Sequence, residues 1–390
     1  MSSATRGCSI LTRRPSSRSV IVTRILVSLT TSSTTNDPDL RATGSDAGHA
    51  LFWGLLAATM VIAAIYVGSR RLRDFDPALV SYAGASVFAA FGIGYRYAMW
   101  LRRPPTRLYW RRGWEIFLAP RHFARNVAEL GRVFFDNFVA QRFIEHRSVN
   151  RWAAHWFIAW GCLLAAAVTF PLSFGWVRFE TPADTQDVYR GFVFGLHLFT
   201  FRLDSWLAPM VFNVLDIAAV MVLLGLGFAL WRRARDRGAQ AVQQFASDLL
   251  PLAMLFAVSV TGLFLTLSTH LMRGLQYGFL SQLHAVTVIF TLLYLPFGKF
   301  FHIFQRPAQL GVSFYKREGA RGEQARCVRC GRAFASLLHV GDLKRVEAAL
   351  GIAYELADGA HYQDLCPSCR RQTLAVLQDA AWRDAGRGLR

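Results

Sequence analysis

Long apolar segments alternate with shorter polar ones along most of this chain. Six of them approach the roughly 20 residues that an α-helix needs to cross the hydrocarbon core of a bilayer. They lie near residues 49–68, 78–100, 152–173, 208–231, 248–269 and 277–304. The pattern predicts an all-α integral membrane protein, built as a helical bundle of about six transmembrane helices and continued by a small polar tail.

Polar segments divide the chain into three parts. Residues 1–47 are rich in Ser, Thr and Arg and are predicted to form a disordered N-terminal tail. Residues 48–310 form the predicted membrane domain, and residues 311–390 form the hydrophilic C-terminal tail. Before the third span, residues 118–144 have apolar positions at helical spacing. They predict a helix that lies along the membrane surface, docks a partner or packs on its own bundle.

Composition supports the membrane assignment. The 390 residues are 53% hydrophobic and 18% charged, whereas a soluble domain has about 25% charged residues. The 44 Lys and Arg residues outnumber the 25 Asp and Glu residues and give a net charge of +19. Because the basic clusters flank apolar spans, they indicate contact with membrane lipid and not with nucleic acid.

The arginine distribution predicts a multi-pass orientation in the plasma membrane. Basic clusters follow the second, fourth and sixth spans, whereas the linker 174–205 carries several acidic residues. By the positive-inside rule, the three basic linkers and both termini are predicted to be cytoplasmic. The basic run at residues 70–73 opposes this assignment, because it falls on the predicted outer side.

Three histidines of the predicted spans are candidate ligands. His284 and His302 are 18 residues apart, which in an uninterrupted helix places both on one face, about 27 Å from each other. His155 lies four residues after Arg151 in the third span. His302 lies four residues before Arg306, so the imidazoles of His155 and His302 are predicted at equal depth. This pattern favours bis-histidine ligation of haem iron, and hydrogen bonding between helices or an interfacial position is the alternative.

The sixth span also resembles a known family. The stretch Pro296-Phe297-Gly298-Lys299-Phe300-Phe301-His302, with His284 upstream, is similar to the last span of the respiratory nitrate reductase gamma subunits. Residues 147–155 and 215–233 are more similar to the membrane cytochromes of heterodisulfide reductase and of sulfite-reductase-associated complexes. The resemblance covers about residues 78–310. It implies a quinone-reactive, electron-transferring subunit of an oxidoreductase complex.

By position, the resemblance implies that His155 and His302 ligate a haem b near the cytoplasm. It also implies that His284 ligates one side of a second, outer haem. The gamma subunits place the other outer ligand ten residues after the inner one, where this chain has Ala165. One haem is therefore expected and two are possible. The candidates for the missing outer ligand are His270 and His197.

Two further charged residues belong to this region. Lys299 lies one turn before His302 and is placed to pair with a haem propionate or, alternatively, with lipid headgroups. Asp216 lies inside the fourth predicted span. An acid inside the membrane predicts a proton route or a quinone contact, with a polar contact to Asn213 or to a neighbouring helix as the alternative.

The C-terminal tail contains four paired cysteines. Cys327 and Cys330 form one C-x2-C pair and Cys366 and Cys369 another, with 35 residues between the pairs. Two such knuckles predict a tetrahedral metal site in a reducing compartment. They resemble a zinc ribbon and also rubredoxin, so zinc is expected with iron as the alternative. A helix is predicted over residues 340–350.

Together these features predict a membrane cytochrome b subunit. It would move electrons between the quinone pool, such as menaquinone, and a cytoplasmic iron–sulfur or reductase partner. The alternatives are a membrane transporter and a membrane-anchored zinc-ribbon adaptor without a redox role. A transporter predicts inverted repeats or broken spans in both halves, which the sequence does not display.

Overall fold

The structure is a computed structural model of the 390-residue chain. It describes residues 46–183, 185, 187–236, 238, 241, 243–352, 354–355 and 359–387. Nearly all of the predicted N-terminal tail therefore lies outside the described residues. The chain divides into a membrane unit that ends at Arg321 and a C-terminal unit that begins at Gly322.

The membrane unit is built from helices, as predicted. In chain order, the described helices are α1 (Asp46–Gly68), α2 (Val80–Arg102), α3 (Pro104–Phe117), α4 (Phe123–Phe134), α5 (Arg142–Glu145), α6 (Val149–Ser173), α7 (Leu207–Arg235), α8 (Leu250–His270), α9 (Tyr277–Tyr294) and α10 (His302–Arg321). Within the described residues, six helices are long and apolar enough to cross a membrane. They are α1, α2, α6, α7, α8 and α9, so the predicted all-α membrane bundle is confirmed.

The outer surface of these helices is apolar. Large side chains such as Phe52, Val67 and Phe290 are more than half exposed. In water such a surface would be unfavourable, whereas lipid tails solvate it. The bundle therefore contacts membrane lipid over the apolar length of its spans.

The spans pack in an order that differs from their order in the sequence. Helix α1 packs on α2, α2 on α9, α9 on α8, α8 on α7, and α7 on α6. The most extensive contact joins α6 and α7, where Ala154 and Ala218 are buried. Small residues at a crossing let two helix backbones approach closely in the membrane. The amphipathic helix α10 packs instead on α3.

The sixth predicted span is not one helix, which corrects the prediction for residues 277–304. Helix α9 ends at Tyr294, and α10 begins at His302 after an irregular turn. Pro296 has no N–H group to continue the helical hydrogen bonds. Gly298 has an extended backbone with φ −90° and ψ −162°, and a β-carbon at this position would collide with the ring of Tyr294.

The break changes the relation between two candidate ligands. The placement of His284 and His302 on one face, five turns apart, requires an uninterrupted helix and is therefore wrong. A side chain of α2 secures the break, because the Arg96 guanidinium donates to the carbonyl of Pro296 and lies 4.4 Å from the ring centre of Phe301. Phe301 is only 2% exposed, so the turn that leads into His302 is firmly packed.

The linker before the third span is also broken. The predicted helix over 118–144 is replaced by α4, a π-helical turn at Phe135–Val139 and the short helix α5. Two tryptophans of α6 hold this linker, because Trp152 Nε1 donates to the carbonyl of Ala140 and Trp160 Nε1 donates to that of Val139. The linker therefore packs on its own bundle, one of the three predicted alternatives.

The linker between α6 and α7 contains a small antiparallel sheet that the sequence analysis did not predict. Strands β1 (Val177–Glu180), β2 (Val188–Val193) and β3 (Leu196–Arg202) lie side by side in chain order. A two-residue turn at Phe194 and Gly195 joins β2 to β3, and both residues have positive φ, as in a type I′ turn.

An ion-pair cluster connects this sheet to the loop between α1 and α2. Asp74 is 4% exposed and accepts two hydrogen bonds of 2.6 Å from Arg70, and Arg178 of β1 also contacts its carboxylate. The hydrogen bonds from Arg70 hold the pKa of Asp74 below its ordinary value despite burial. The basic run at residues 70–73, which opposes the predicted orientation, is therefore partly neutralised by its own loop.

The described part of the C-terminal unit contains two short strands, two α-helices and a 3-10 turn at Tyr362–Asp364. Strands β4 (Gln324–Arg326) and β5 (Ala333–Ser336) are antiparallel, and helices α11 (Leu337–Ala349) and α12 (Pro367–Arg387) follow. Helix α11 covers the predicted helix at 340–350 to within one residue. Its N-cap is Ser336, whose hydroxyl accepts from the backbone N–H of His339.

Candidate functional sites

Two of the three candidate histidines are in contact. His155 lies in the second turn of α6, and His302 is the first residue of α10. Their ring centres are 6.2 Å apart and the ring planes are inclined by 62°. Both side chains are half-buried. The helix break therefore does not separate the pair, because the turn before α10 returns His302 to α6.

Each imidazole of this pair uses Nδ1 for a hydrogen bond within the protein. His155 Nδ1 donates to Oε1 of Gln141 at 2.7 Å, and His302 Nδ1 donates to the backbone carbonyl of Lys299. A carbonyl oxygen accepts only, so the proton of each neutral ring lies on Nδ1. The lone pair of each Nε2 is then available for a metal, as in most histidine-ligated metal sites.

The separation of the rings fits two ligands of one metal ion. With metal–nitrogen bonds of about 2 Å, two imidazoles on opposite sides of one ion have ring centres about 6 Å apart. The 6.2 Å between His155 and His302 matches this geometry. The ring-centre distance and the Nδ1 hydrogen bonds are therefore compatible with ligation of one metal ion by both imidazoles.

Sequence reasoning missed two residues of this site. Gln141 gave no signal, because a single glutamine in an amphipathic linker is ordinary. Arg96 does have a sequence signal, because it is an arginine inside a predicted span, where ionisable groups are rare and usually have a partner or a function. In the structure Gln141 holds His155, and Arg96 holds the turn that leads to His302.

Lys299 has a partner within the protein. Its ammonium group contacts the carboxylate of Asp248, in the turn that leads into α8. The pair connects that turn to the break before α10. Asp248 also accepts from the backbone N–H of Gln244 at 3.0 Å. Lys299 thus helps to place His302, whereas a contact with a propionate or a lipid headgroup stays a prediction.

His284 belongs to a different polar cluster, between α8 and α9. Its Nδ1 lies 2.9 Å from the hydroxyl oxygen of Thr261, which is also 3.2 Å from that of Thr287. The predicted role of His284 as a haem ligand stays a prediction. Asp216 of α7 accepts a 2.7 Å hydrogen bond from the hydroxyl of Thr266 on α8. This is the helix-to-helix contact that was the alternative to a proton route.

The two other candidate outer ligands occupy exposed positions. His270 is the last residue of α8. His197 lies on β3, where its Nε2 is 2.8 Å from the hydroxyl of Thr200. These contacts do not select either residue as the partner of His284, so the second ligand of an outer haem stays a prediction.

The four cysteines of the C-terminal unit form a compact cluster. The sulfurs of Cys327, Cys330, Cys366 and Cys369 all lie within 4.8 Å of one another. Cys330 and Cys366 are 3.7 Å apart, too far for a disulfide and close to the edge of about 3.8 Å of a tetrahedron with 2.3 Å metal–sulfur bonds. The predicted pairing of the two knuckles at one site is confirmed, and the cluster can hold a metal ion.

The local backbone explains how the two knuckles meet. Gly331 has a φ of +73°, which closes the first knuckle, and its N–H donates to the carbonyl of Cys327 at 2.8 Å. Cys366 immediately precedes α12, and Cys369 lies in its first turn. The N–H of Val328 donates to the carbonyl of Asp364 at 3.1 Å and so joins the first knuckle to the second.

The electrostatics of the cluster favour bound thiolates. Burial raises the pKa of Cys327, but N–H groups from both knuckles outweigh this effect and lower the pKa to about 6. Burial, and then the neighbouring sulfurs, raise the pKa of Cys369 to about 12. Four crowded sulfurs cannot all ionise without a compensating cation, and a divalent metal ion provides that charge.

Fold and sites together define a class: a multi-pass α-helical membrane protein with a four-cysteine cluster able to hold a metal ion. A scan against models of known protein families, a search of curated proteins and a search of solved structures each find no match to this chain.

Proposed function

We propose that this protein is a membrane cytochrome b subunit that moves electrons between a quinone pool and a cytoplasmic iron–sulfur or reductase partner. The contact between His155 and His302 is the observation that carries this proposal. These two residues would hold a haem b through their Nε2 atoms. The haem would supply one-electron transfer, which protein side chains cannot perform at ordinary potentials.

Three features of the chain support this function. His155 lies on the spanning helix α6, and His302 lies at the start of α10, just after the last span. Each ligand is oriented by an acceptor on Nδ1, the usual outer shell of a histidine metal site. The sequence around the pair resembles the respiratory nitrate reductase gamma subunits and related membrane cytochromes, which favours a quinone such as menaquinone as substrate.

Orientation and location form part of the proposal. We place the protein in the plasma membrane with both termini in the cytoplasm, because the basic linkers then lie inside. The haem held by His155 and His302 would lie near the cytoplasmic face, where a soluble or peripheral partner can approach it. The C-terminal unit would be on the same side.

The metal of the C-terminal unit decides its role. We expect zinc, which does not change its oxidation state and would make the unit a docking module for the partner. Iron bound by the same four thiolates would instead extend the electron path into the cytoplasm. A membrane-anchored zinc-ribbon adaptor without haem is the second candidate function, because the cysteine cluster suffices for it. It leaves the matched geometry of His155 and His302 unexplained.

Quinol-driven reduction tests the proposed function. A short-chain quinol added to the purified, oxidised protein is expected to reduce its haem. If His284 binds quinone, His284→Ala is expected to slow this reduction about tenfold, because the loss of one hydrogen bond to quinone of about 1–1.5 kcal/mol corresponds to that factor. The haem held by His155 and His302 should stay bound. The measurement is the rate of the absorbance change after mixing.

The matched control is Ser281→Ala, one turn earlier on α9, where the hydroxyl donates to the carbonyl of Gly278 in its own helix. This variant should reduce at the wild-type rate. A haem-containing protein that quinol does not reduce would contradict the proposal. The number of haems per chain distinguishes the two roles of His284. If it falls from about two in the wild type to about one in His284→Ala, His284 is a ligand of an outer haem. If it is about one in both proteins, a quinone contact is favoured.

A further inference from the structure

We propose that Gln141 positions His155 as a ligand and so sets the redox potential of the haem at this pair. The inference rests on the proposed function and names a residue that the motifs of the sequence do not contain. Gln141 would act through His155 and not by touching the haem, so it is a positioning residue. Its backbone, its side chain and its attachment to α6 each support this role.

The backbone of Gln141 is held in an unfavourable conformation. Its φ of +54° lies in the left-handed region, which costs a residue with a β-carbon about 1 kcal/mol or more. The residue is also only 6% exposed, which is unusual for a glutamine. Both costs must be offset by the interactions that the residue makes with its surroundings. The contact that uses the amide is the one to His155.

The side chain of Gln141 supplies the acceptor that fixes the His155 ring. Its Oε1 lies 2.7 Å from His155 Nδ1, which holds the proton there and directs Nε2 away from the linker. The corresponding acceptor of His302 is a backbone carbonyl, that of Lys299. The two ligands therefore differ: only at His155 does a replaceable side chain determine the strength of the acceptor.

The chemistry connects this acceptor to the redox potential. A stronger acceptor on Nδ1–H makes Nε2 a more basic ligand. A more basic ligand stabilises ferric more than ferrous iron and lowers the potential, and a missing acceptor raises it. The linker has other attachments to α6, because Trp152 and Trp160 donate to its backbone carbonyls at 2.7 and 3.2 Å.

Two substitutions test the role of the amide in the full-length protein. Gln141→Glu keeps the length of the side chain and strengthens the acceptor, so the midpoint potential is expected to fall. Gln141→Asn tolerates the left-handed backbone better than glutamine, but it is one methylene too short to reach His155. Its potential is expected to rise, and its haem affinity to fall about 10–100-fold. The readouts are a potentiometric titration and the electron paramagnetic resonance spectrum of the ferric haem.

Trp160→Phe is the matched control. It removes a hydrogen bond between the same linker and α6 without touching His155, so the potential and the spectrum should stay at wild-type values. If both Gln141 variants match the wild type, or if Trp160→Phe shifts the potential as far as Gln141→Asn does, the inference is overturned. A wild-type protein without haem overturns the proposed function, and the inference with it. A haem-containing protein whose potential is independent of Gln141 overturns the inference alone.

Discussion

Replacing either His155 or His302 by alanine is expected to remove the same haem from the purified protein. The ring centres lie 6.2 Å apart, a spacing at which both imidazoles could bind one iron, so a bis-histidine haem held here would need both side chains. Haem content should fall by about one per chain in each variant, and the double variant should lose no more than either single one. The measurement is haem per protein together with the visible spectrum.

His270→Ala is the control for this experiment, because His270 is exposed at the end of α8 and lies outside the pair. It should keep the haem held by His155 and His302. If His155→Ala and His302→Ala remove spectrally different haems, the pairing is wrong. If both variants keep the wild-type haem content, neither residue is a ligand.

The second large effect is expected at the cysteine cluster. Cys369→Ser in the full-length protein should lower the metal content from about one ion per chain to near zero, since three thiolates no longer complete a tetrahedral site. Because structural zinc sites contribute about 10–16 kcal/mol of apparent binding energy, the fold of the C-terminal unit should be lost with the metal. The readouts are elemental analysis after purification under reducing conditions, and proteolysis within residues 322–387.

Cys162→Ser provides the control, since Cys162 lies on α6 and is not a member of the cluster. It should retain the metal and the protease resistance. Wild-type protein without metal would count against the site. Colour distinguishes the two metals: zinc leaves the C-terminal unit colourless, whereas iron would add visible absorption that Cys369→Ser removes.

The sequence predicts the membrane bundle well because the bilayer imposes a simple rule. A helix must satisfy its own backbone in lipid, so length and hydropathy suffice to locate the spans. The same rule fails at residues 295–301. The sequence stays largely apolar there, but Pro296 and Gly298 interrupt the helix, and the chain forms an irregular turn. Apolar composition shows that this segment is sheltered from water, but not whether it is helical.

The candidate sites were predictable from the sequence to the extent that local motifs, and not the path of the chain, determine their geometry. The four cysteines form a local motif with a required geometry, so their meeting follows from their spacing. The contact of His155 with His302 depends on the turn before α10, which Arg96 holds. The sequence indicated equal depth for the two histidines, but it did so by assuming one continuous helix over 277–304, which the structure divides into α9 and α10. Gln141 is visible only in three dimensions, because its role depends on a left-handed backbone and on one hydrogen bond.

The visible spectrum of the full-length protein, purified in detergent from haem-replete cells, tests the central claim most directly. It is recorded in the oxidised state and again after reduction with dithionite. Two imidazoles on one iron predict a red protein with a low-spin b-type spectrum that changes on reduction. A colourless protein, or a spectrum that dithionite leaves unchanged, would contradict the cytochrome account and leave the metal-binding membrane adaptor as the function that the structure supports.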